Sequence, residues 1–146
     1  MSQKSAQWFR FEGGTRALTT ALEGTGTATA HMVGNGLPTM VVDLAAAQVS
    51  KYVDITGVNL DGLEVIDAYV ISGDTVNSSA LINKKGTSTA VAISNAIAKG
   101  TADKAIVSAS TLDDATWGLD GEDNIRLAIT VGAFTGRVVI VLASTK

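Results

Sequence analysis

The residues of this chain that could carry out chemistry are few and widely spaced. His31 is the single histidine, and the chain contains no cysteine. Catalysis of the Ser-His-Asp or Cys-His kind needs a base held in a folded site, whereas His31 lies in a segment rich in Gly and Thr. A zinc site of the usual kind needs several Cys or His ligands. The sequence therefore predicts no catalytic centre, no enzyme activity and no zinc site.

Carboxylates are the remaining candidates for chemistry. Asp67 lies inside an otherwise apolar segment, where a charged group needs a partner or water. We interpret it as a structural residue bonded to a loop backbone or an arginine; the alternative, a catalytic carboxylate, lacks a second group to act with. Five further acidic residues lie close together near the C-terminal end of the chain. Calcium prefers several oxygen ligands from one compact loop, but the spacing of these residues does not match an EF-hand. A solvated acidic loop is predicted for that cluster, which consists of Asp113, Asp114, Asp120, Glu122 and Asp123.

Aromatic residues are the best candidates for an interface. Trp8, Phe9 and Phe11 fall within four positions near the N-terminus. Because aromatic side chains are enriched among interface anchors, we expect this segment to dock on a neighbouring subunit. The alternative is an edge strand of the domain, with Trp8 filling a corner of the core. Trp117, in the acidic loop, either stacks on a sugar ring or packs over the end of the domain or at a subunit contact.

Composition excludes several classes of partner. The 146 residues carry a formal net charge of −3, and Lys84-Lys85 is the one adjacent basic pair, so direct nucleic-acid binding is not predicted. No apolar run approaches the roughly 20 residues that span a bilayer, and the N-terminus lacks the apolar region of a signal peptide. The segment from Gly24 to Gly26 lacks the third glycine of a dinucleotide fingerprint, and no cofactor is predicted.

Short apolar segments separated by turn residues run through the chain from residue 40 onward. Thr, Val and Ile favour strands, and Gly, Asn and Asp supply the turns between them. Long amphipathic helices are missing, so βαβ crossovers are not expected. The pattern predicts an all-β fold, an antiparallel β-sandwich or jelly roll of about seven or eight strands. The segments are 40–44, 51–58, 64–72, 80–83, 87–93, 104–109, 124–131 and 137–143.

The first 39 residues differ from the rest in having little apolar bulk and no clear periodicity. Pro38 marks the predicted boundary. We expect residues 1–39 to form an extended N-terminal arm and residues 40–146 to form the sandwich domain. Within these parts, single helical turns are predicted at residues 19–22 and 95–99.

The last twenty or so residues predict a β-hairpin. Two apolar runs flank a five-residue loop from Gly132 to Gly136, which is the spacing of a hairpin with a medium loop. The second run, residues 137–143, is apolar on both faces. Such a strand is buried on both sides, in the centre of a sheet or at a subunit contact.

Several stretches in this order suggest a family. The chain reads V-V-D-L, then E-V-I-D-A-Y-V-I-S-G-D, then N-A-I-A-K-G-T-A-D, and closes on D-N-I-R-L-A-I-T-V-G-A-F-T-G-R-V-V-I-V-L. This resembles small virion structural proteins of tailed bacteriophages, of the head decoration, cement or head-fibre type. The resemblance covers residues 40–146 and leaves the predicted arm outside it.

The resemblance implies a protein without catalytic residues that binds and stabilises the outer surface of a phage capsid. Its partners would be itself, as a symmetric oligomer with a trimer favoured, and the major capsid protein. It would be located on the virion and assembled in the host cytoplasm. The interface residues expected on this basis are Trp8, Phe9, Phe11 and Trp117. The alternative function is a glycan-binding or receptor-binding module of a phage fibre, in which Trp117 would lie exposed in a groove.

Overall fold

The part of the chain that the structure describes consists of strands joined by turns. The computed structural model describes residues 15–34, 36–87, 89–112 and 118–145. None of these residues belongs to a helix long and apolar enough to cross a membrane. The strands are β1 (Thr15–Leu22), β2 (Thr27–Val33), β3 (Thr39–Ala47), β4 (Tyr52–Thr56), β5 (Leu63–Ser72), β6 (Ser78–Lys85), β7 (Val91–Lys99), β8 (Ile106–Ser108), β9 (Asn124–Thr130) and β10 (Phe134–Ser144).

These strands form two antiparallel sheets. Sheet A has the order β1-β2-β3-β10-β5-β8, and sheet B has the order β1-β4-β9-β6-β7. The chain repeatedly crosses from one sheet to the other, so that β3-β10-β5-β8 faces β4-β9-β6-β7. Two four-stranded sheets connected in this way form a jelly roll. The predicted all-β class and jelly-roll architecture are confirmed, with ten strands instead of seven or eight.

Strand β1 belongs to both sheets. Its first half pairs with β2, where Thr15 lies opposite Val33. Its second half pairs with β4, where Thr19 lies opposite Thr56. One strand therefore connects the two sheets by hydrogen bonds along one side of the sandwich.

The core lies between the sheets and is built from their inward faces. Alternate residues of the central strands are buried, as in β9 and in the second half of β10. Burying one Val, Leu or Ile side chain contributes about 1.5–3 kcal/mol, so this apolar layer is the main source of stability. The largest buried apolar side chains are Phe134, Met32, Met40, Ile55, Leu60, Ile82, Ile93, Ile97, Ile125, Leu127 and Ile129.

The predicted extended arm is wrong for residues 15–33. These residues form the β1–β2 hairpin, and Ala30 and Met32 of β2 are buried in the core. Gly24 and Gly26 in the turn have positive φ angles, which glycine adopts without steric cost. The helical turn predicted at residues 19–22 is likewise a strand, because Thr fits a pleated surface. Residues 1–14 lie outside the described part of the chain.

Pro38 is not a domain boundary. It lies in the connection between β2 and β3, and its carbonyl oxygen accepts a hydrogen bond of 2.8 Å from the Leu142 amide of β10. Both strands that this connection joins are in sheet A. The segment before Pro38 and the segment after it therefore share one sheet.

The predicted C-terminal hairpin is also wrong. β9 lies in sheet B between β4 and β6, whereas β10 lies in sheet A between β3 and β5. Each strand is central in its own sheet, which agrees with the prediction that residues 137–143 occupy a sheet centre. The residues between β9 and β10 carry the chain across the sandwich. The helical turn predicted at residues 95–99 is part of β7.

Candidate functional site

The outward side of sheet A carries several apolar residues on its central strands. His31, Val41, Val139 and Tyr69 lie side by side in one row across β2, β3, β10 and β5. The neighbouring rows mix apolar and polar residues, and they read Thr29, Asp43, Arg137, Ile71 and Ile106 on one side and Val33, Thr39, Val141 and Asp67 on the other. We call this surface the outer A face; its apolar members are Val33, Val41, Ile66, Tyr69, Ile71, Ile106, Val139 and Val141.

The outer A face departs from the usual pattern of a sandwich. An antiparallel sheet that meets water normally alternates apolar residues inward with polar residues outward. Here Ile106 is 66% exposed and Ile66 is 37% exposed, on the same face as the nearly buried Val139. Exposed apolar residues grouped on one face are a candidate for interaction with other molecules.

An open groove of about 570 Å³ lies at one end of the outer A face. Ile71 and Ile106, which lie opposite each other on β5 and β8, form its apolar wall. Arg137 and Asp43 line the groove as an ion pair with an Nε–Oδ1 distance of 2.7 Å, and both side chains are about half exposed. Exposed pairs contribute only about 0–1 kcal/mol, so these charges can exchange partners at low cost. The groove thus combines apolar walls with available charges.

A β-bulge shapes the edge of the outer A face. Val141 of β10 pairs with Asp67 and Leu142 pairs with Val65, which leaves Ile66 as an extra residue in β5. The bulge turns Ile66 outward, whereas in a strand without a bulge it would share the face of Ala68. The Asp67 carboxylate is exposed and accepts a 2.9 Å hydrogen bond from the Ala68 amide of its own strand, whereas a loop backbone or an arginine was the predicted partner.

A second candidate surface lies on the outward side of sheet B. The Arg126 guanidinium donates two hydrogen bonds to the Asp54 carboxylate, with Nε–Oδ1 and Nη2–Oδ2 distances of 2.6 and 2.8 Å. Arg126 also lies over the ring of Tyr52, 4.6 Å from its centre, and the hydrogen bonds to Asp54 raise the pKa of Arg126. Tyr52 is 40% exposed, and small Ala128 lies opposite it on β9. Tyr52, Asp54 and Arg126 form the Tyr52 cluster.

The residues predicted from the sequence to act at an interface, Trp8, Phe9, Phe11 and Trp117, lie outside the described residues, as do Asp113 and Asp114. His31, expected in a flexible segment, is on β2 and faces outward. Carboxylates of the acidic loop cap its own turn: Glu122 N–H donates to Asp120 at 2.9 Å, and Asp120 N–H donates to Asp123 at 3.0 Å. Within the described ranges, no group of three or more His, Asp or Glu side chains could hold a metal ion.

Sequence reasoning missed one buried ion pair. Lys99 is 2% exposed, and its ammonium donates to Asp74 at 2.6 Å, to the Ser72 hydroxyl at 3.3 Å and to the Val76 carbonyl. The hydrogen bond from Lys99 lowers the pKa of Asp74, against the opposing effect of burial. The pair fastens the β5–β6 connection onto the end of β7. The signal was present, since Ile97 and Lys99 share the inward alternation of β7.

Comparison with known proteins adds the following. No family model and no curated protein matches this chain. Among solved structures, it is similar to the N-terminal cellulose-binding domain of β-1,4-glucanase C from Cellulomonas fimi, with a TM-score of 0.37, 15% identity, and coverage of 90% of this chain and 88% of that chain. It is also similar to CtCBM11, with a TM-score of 0.36, 11% identity, and coverage of 90% and 95%. Likeness at this level carries no argument about what this chain binds.

Proposed function

We propose that this protein is a non-catalytic structural module that assembles with copies of itself through the outer A face. The observation that supports the proposal is the apolar character of that face, where Ile66 and Ile106 are exposed to solvent. Burying such a surface removes apolar area from water, at about 25 cal/mol per Å². The resemblance to head decoration proteins suggests that the assembly is a trimer on the outer surface of a phage capsid. The major capsid protein would then be its second partner.

The size of the outer A face suits this function. β10 has 11 residues, which extend over about 36 Å at 3.3 Å per residue. The six strands of sheet A span about 24 Å at 4.8 Å per strand. Because β8 has three residues and only the first half of β1 pairs in sheet A, the strands of the sheet cover about 700 Å² at these spacings. This is somewhat less than the roughly 800 Å² that each partner contributes to a standard interface. The face is large enough for a stable contact between copies.

The proposal predicts that positive charges introduced at apolar positions of the outer A face weaken the association between copies. The double variant Ile66→Lys/Ile106→Lys is expected to weaken self-association at least about tenfold, or 1.4 kcal/mol, because two ammonium groups would be desolvated. Analytical ultracentrifugation over a range of protein concentrations measures the dissociation constant of each variant. Val91→Lys, at a 40% exposed position on sheet B, is the matched control and should leave association unchanged. A wild-type protein that is still monomeric at about 100 micromolar, which corresponds to an association free energy weaker than about −5.5 kcal/mol, would exclude the proposal.

The capsid setting has its own test. Wild-type protein is expected to co-sediment with expanded, undecorated phage shells. If the protein self-associates but does not co-sediment with the shells, the proposed binding to the capsid is excluded and the proposed self-assembly is not.

Glycan binding is the second candidate function, and the Tyr52 cluster is the observation that favours it. A partly exposed aromatic ring beside a carboxylate and a guanidinium combines a stacking surface with hydrogen-bonding groups, as ligand sites do. The Arg126 guanidinium lies over one face of the Tyr52 ring, so a sugar would stack on the other face.

Under this second candidate, Tyr52→Ala is expected to reduce polysaccharide binding at least about tenfold, because the stacking surface is lost. Affinity gel electrophoresis against a panel of soluble polysaccharides measures the effect. Tyr52→Phe keeps the ring and should retain binding, and Tyr69→Ala on the opposite sheet is the control. Equal retention by all three variants would exclude the Tyr52 cluster as the site.

A further inference from the structure

The five connections at one end of the sandwich lie side by side in a line. Contacts join neighbouring connections: the Gln48 amide donates to the Thr25 carbonyl at 3.2 Å, and the Ser72 amide, at the end of β5, donates to the Ala105 carbonyl at 2.9 Å. We call this end of the sandwich the turn end. In order across it, the connections are residues 23–26, 48–51, 131–133, 73–77 and 100–105.

The centre of the turn end is an apolar patch. Val131 is 66% exposed, Val76 is 48% exposed and Val49 is 37% exposed, and they belong to the three middle connections. A Cβ on Gly132 would lie 3.7 Å from a methyl carbon of Val76. The Ser50 amide, next to Val49, donates to the end of β9 at 2.8 Å. The three valines therefore form one patch with Val131 in the middle.

The backbone presents Val131 to solvent in a conformation that valine rarely adopts. Its φ is +78°, and the Gly132 amide donates to the Thr130 carbonyl at 3.1 Å, which closes a strained γ-turn around Val131. The Ser78 hydroxyl fixes this turn by donating to the Gly132 carbonyl at 2.7 Å. A positive φ is a genuine outlier for a β-branched residue, and strained residues of this kind cluster at functional sites.

Opposite charges flank the valine patch on both sides. Glu23 and Lys51 lie on one side as an exposed ion pair of 3.5 Å. Asp103 and Lys104 lie exposed on the other side. The exposed charges of the turn end thus balance, and each side of the patch offers one cation and one carboxylate.

The opposite end of the sandwich is acidic. The described connections there contain four carboxylates and no Lys or Arg, and Lys84 and Lys85 at the end of β6 offset only two of them. The carboxylates are those of Asp61, Asp120, Glu122 and Asp123. Two copies that met through this end would repel each other, whereas two turn ends would not.

We propose that the turn end is a two-fold contact with the turn end of a second copy of this chain, in addition to the contact through the outer A face. A two-fold rotation that exchanges the two sides places Val131 against the partner's Val131 and Val49 against the partner's Val76. Such a contact is isologous, so every pairing occurs twice. The same rotation brings Glu23 and Lys51 opposite the partner's Lys104 and Asp103, which is the complementary arrangement of charge.

The turn end is small for a contact between two single copies. Four strands at 4.8 Å and two sheets about 10 Å apart, with their outward side chains, give an end of roughly 20 by 20 Å, or about 400 Å². This is about half of what each partner contributes to a standard interface. The contact is therefore weak alone and becomes effective between oligomers that present several turn ends at once.

Cysteine cross-linking tests the contact, because the chain contains no cysteine of its own. Under mild oxidation, Val131→Cys is expected to form a disulfide-linked dimer at least about tenfold faster than Leu37→Cys, an exposed position at the opposite end. A mixture of Val49→Cys and Val76→Cys should cross-link faster than either variant alone. Non-reducing gel electrophoresis measures the rates. Equal rates for Val131→Cys and Leu37→Cys would overturn the inference.

Charge reversal tests the register of the contact. In the Val131→Cys background, Lys104→Glu is expected to slow cross-linking about threefold, because it faces the partner's Glu23. Glu23→Lys combined with Lys104→Glu should restore the rate, and a double variant as slow as Lys104→Glu would contradict the two-fold arrangement. Ultracentrifugation of the reduced Val131→Cys protein reads the outer A face separately. If this protein self-associates but does not cross-link, the turn-end contact is excluded and the proposed self-assembly is not.

Discussion

Asp74→Asn is expected to lower the free energy of unfolding by about 3 kcal/mol, because it leaves the Lys99 ammonium buried without a counter-charge. Lys99 is 2% exposed, and its two other hydrogen-bond partners, the Ser72 hydroxyl and the Val76 carbonyl, are neutral. Urea denaturation at pH 7 measures the change. Asp67→Asn is the matched control: that carboxylate is exposed and accepts a hydrogen bond from its neighbour's amide, so its loss should cost less than about 0.5 kcal/mol. Similar costs for both variants would contradict this account of the pair.

The Lys99–Asp74 pair also makes the stability of the protein depend on pH. The hydrogen bond from Lys99 holds the pKa of Asp74 below its ordinary value of 3.8. A carboxyl whose pKa is lower in the folded state stabilises the protein fully above the unfolded value, and this contribution is lost as the pH falls through the folded value. The stability difference between wild type and Asp74→Asn should therefore be constant above about pH 5 and shrink below pH 3.8. A difference that stays constant down to pH 2 would contradict the lowered pKa.

Gly136→Ala is expected to destabilise the protein by about 3 kcal/mol, because no side chain fits between β10 and β5 at this point. A Cβ on Gly136 would lie 2.3 Å from the Ile71 carbonyl oxygen and 3.1 Å from the Gly73 nitrogen. Both obstacles are backbone atoms, and β10 is held between β3 and β5, so the central strand itself would have to move.

Gly36→Ala is the control for Gly136→Ala. Gly36 has a φ of +93°, and a Cβ there would meet nothing within 4 Å. Its substitution therefore carries the conformational cost of a positive φ without a clash, about 1 kcal/mol. Thermal unfolding measures the melting temperature of the two variants. Equal decreases would show that the close approach of the β5 backbone to Gly136 does not affect stability.

The positions of the central strands were predictable, but their partners were not. Hydrophobic periodicity records which side of a strand is buried, and it placed β5, β9 and β10 correctly from the sequence. It does not record which strand lies alongside. The G-A-F-T-G loop has the length and composition of a hairpin turn, whereas here it leads the chain from sheet B to sheet A.

The strands β1 and β2 illustrate a different limit. Their Thr and Ala residues carry too little apolar bulk to indicate a strand by themselves. They become strands because β2 pairs with β3 and β1 pairs with β4, and the second partner of β1 is more than thirty residues away in the sequence. Pairing between distant segments overrides weak local preference.

The candidate surfaces were partly predictable. That β10 is apolar on both faces was visible in the sequence, and it is the origin of the outer A face. The rest of that face depends on register, because Val41 and Tyr69 flank Val139 only when three separate strands align. The bulge at Ile66 and the Lys99–Asp74 pair likewise arise from contacts between distant residues.

The place of β10 has a consequence for biosynthesis. Phe134–Ser144, the last strand along the chain, fills the slot between β3 and β5 in sheet A. While the ribosome is still making this segment, both neighbouring strands carry open hydrogen-bonding edges and uncovered apolar side chains. Open edges of this kind pair readily with other chains. The nascent polypeptide is thus most vulnerable to aggregation until β10 has paired with both strands, and a chaperone that shields their edges would be needed only up to that point.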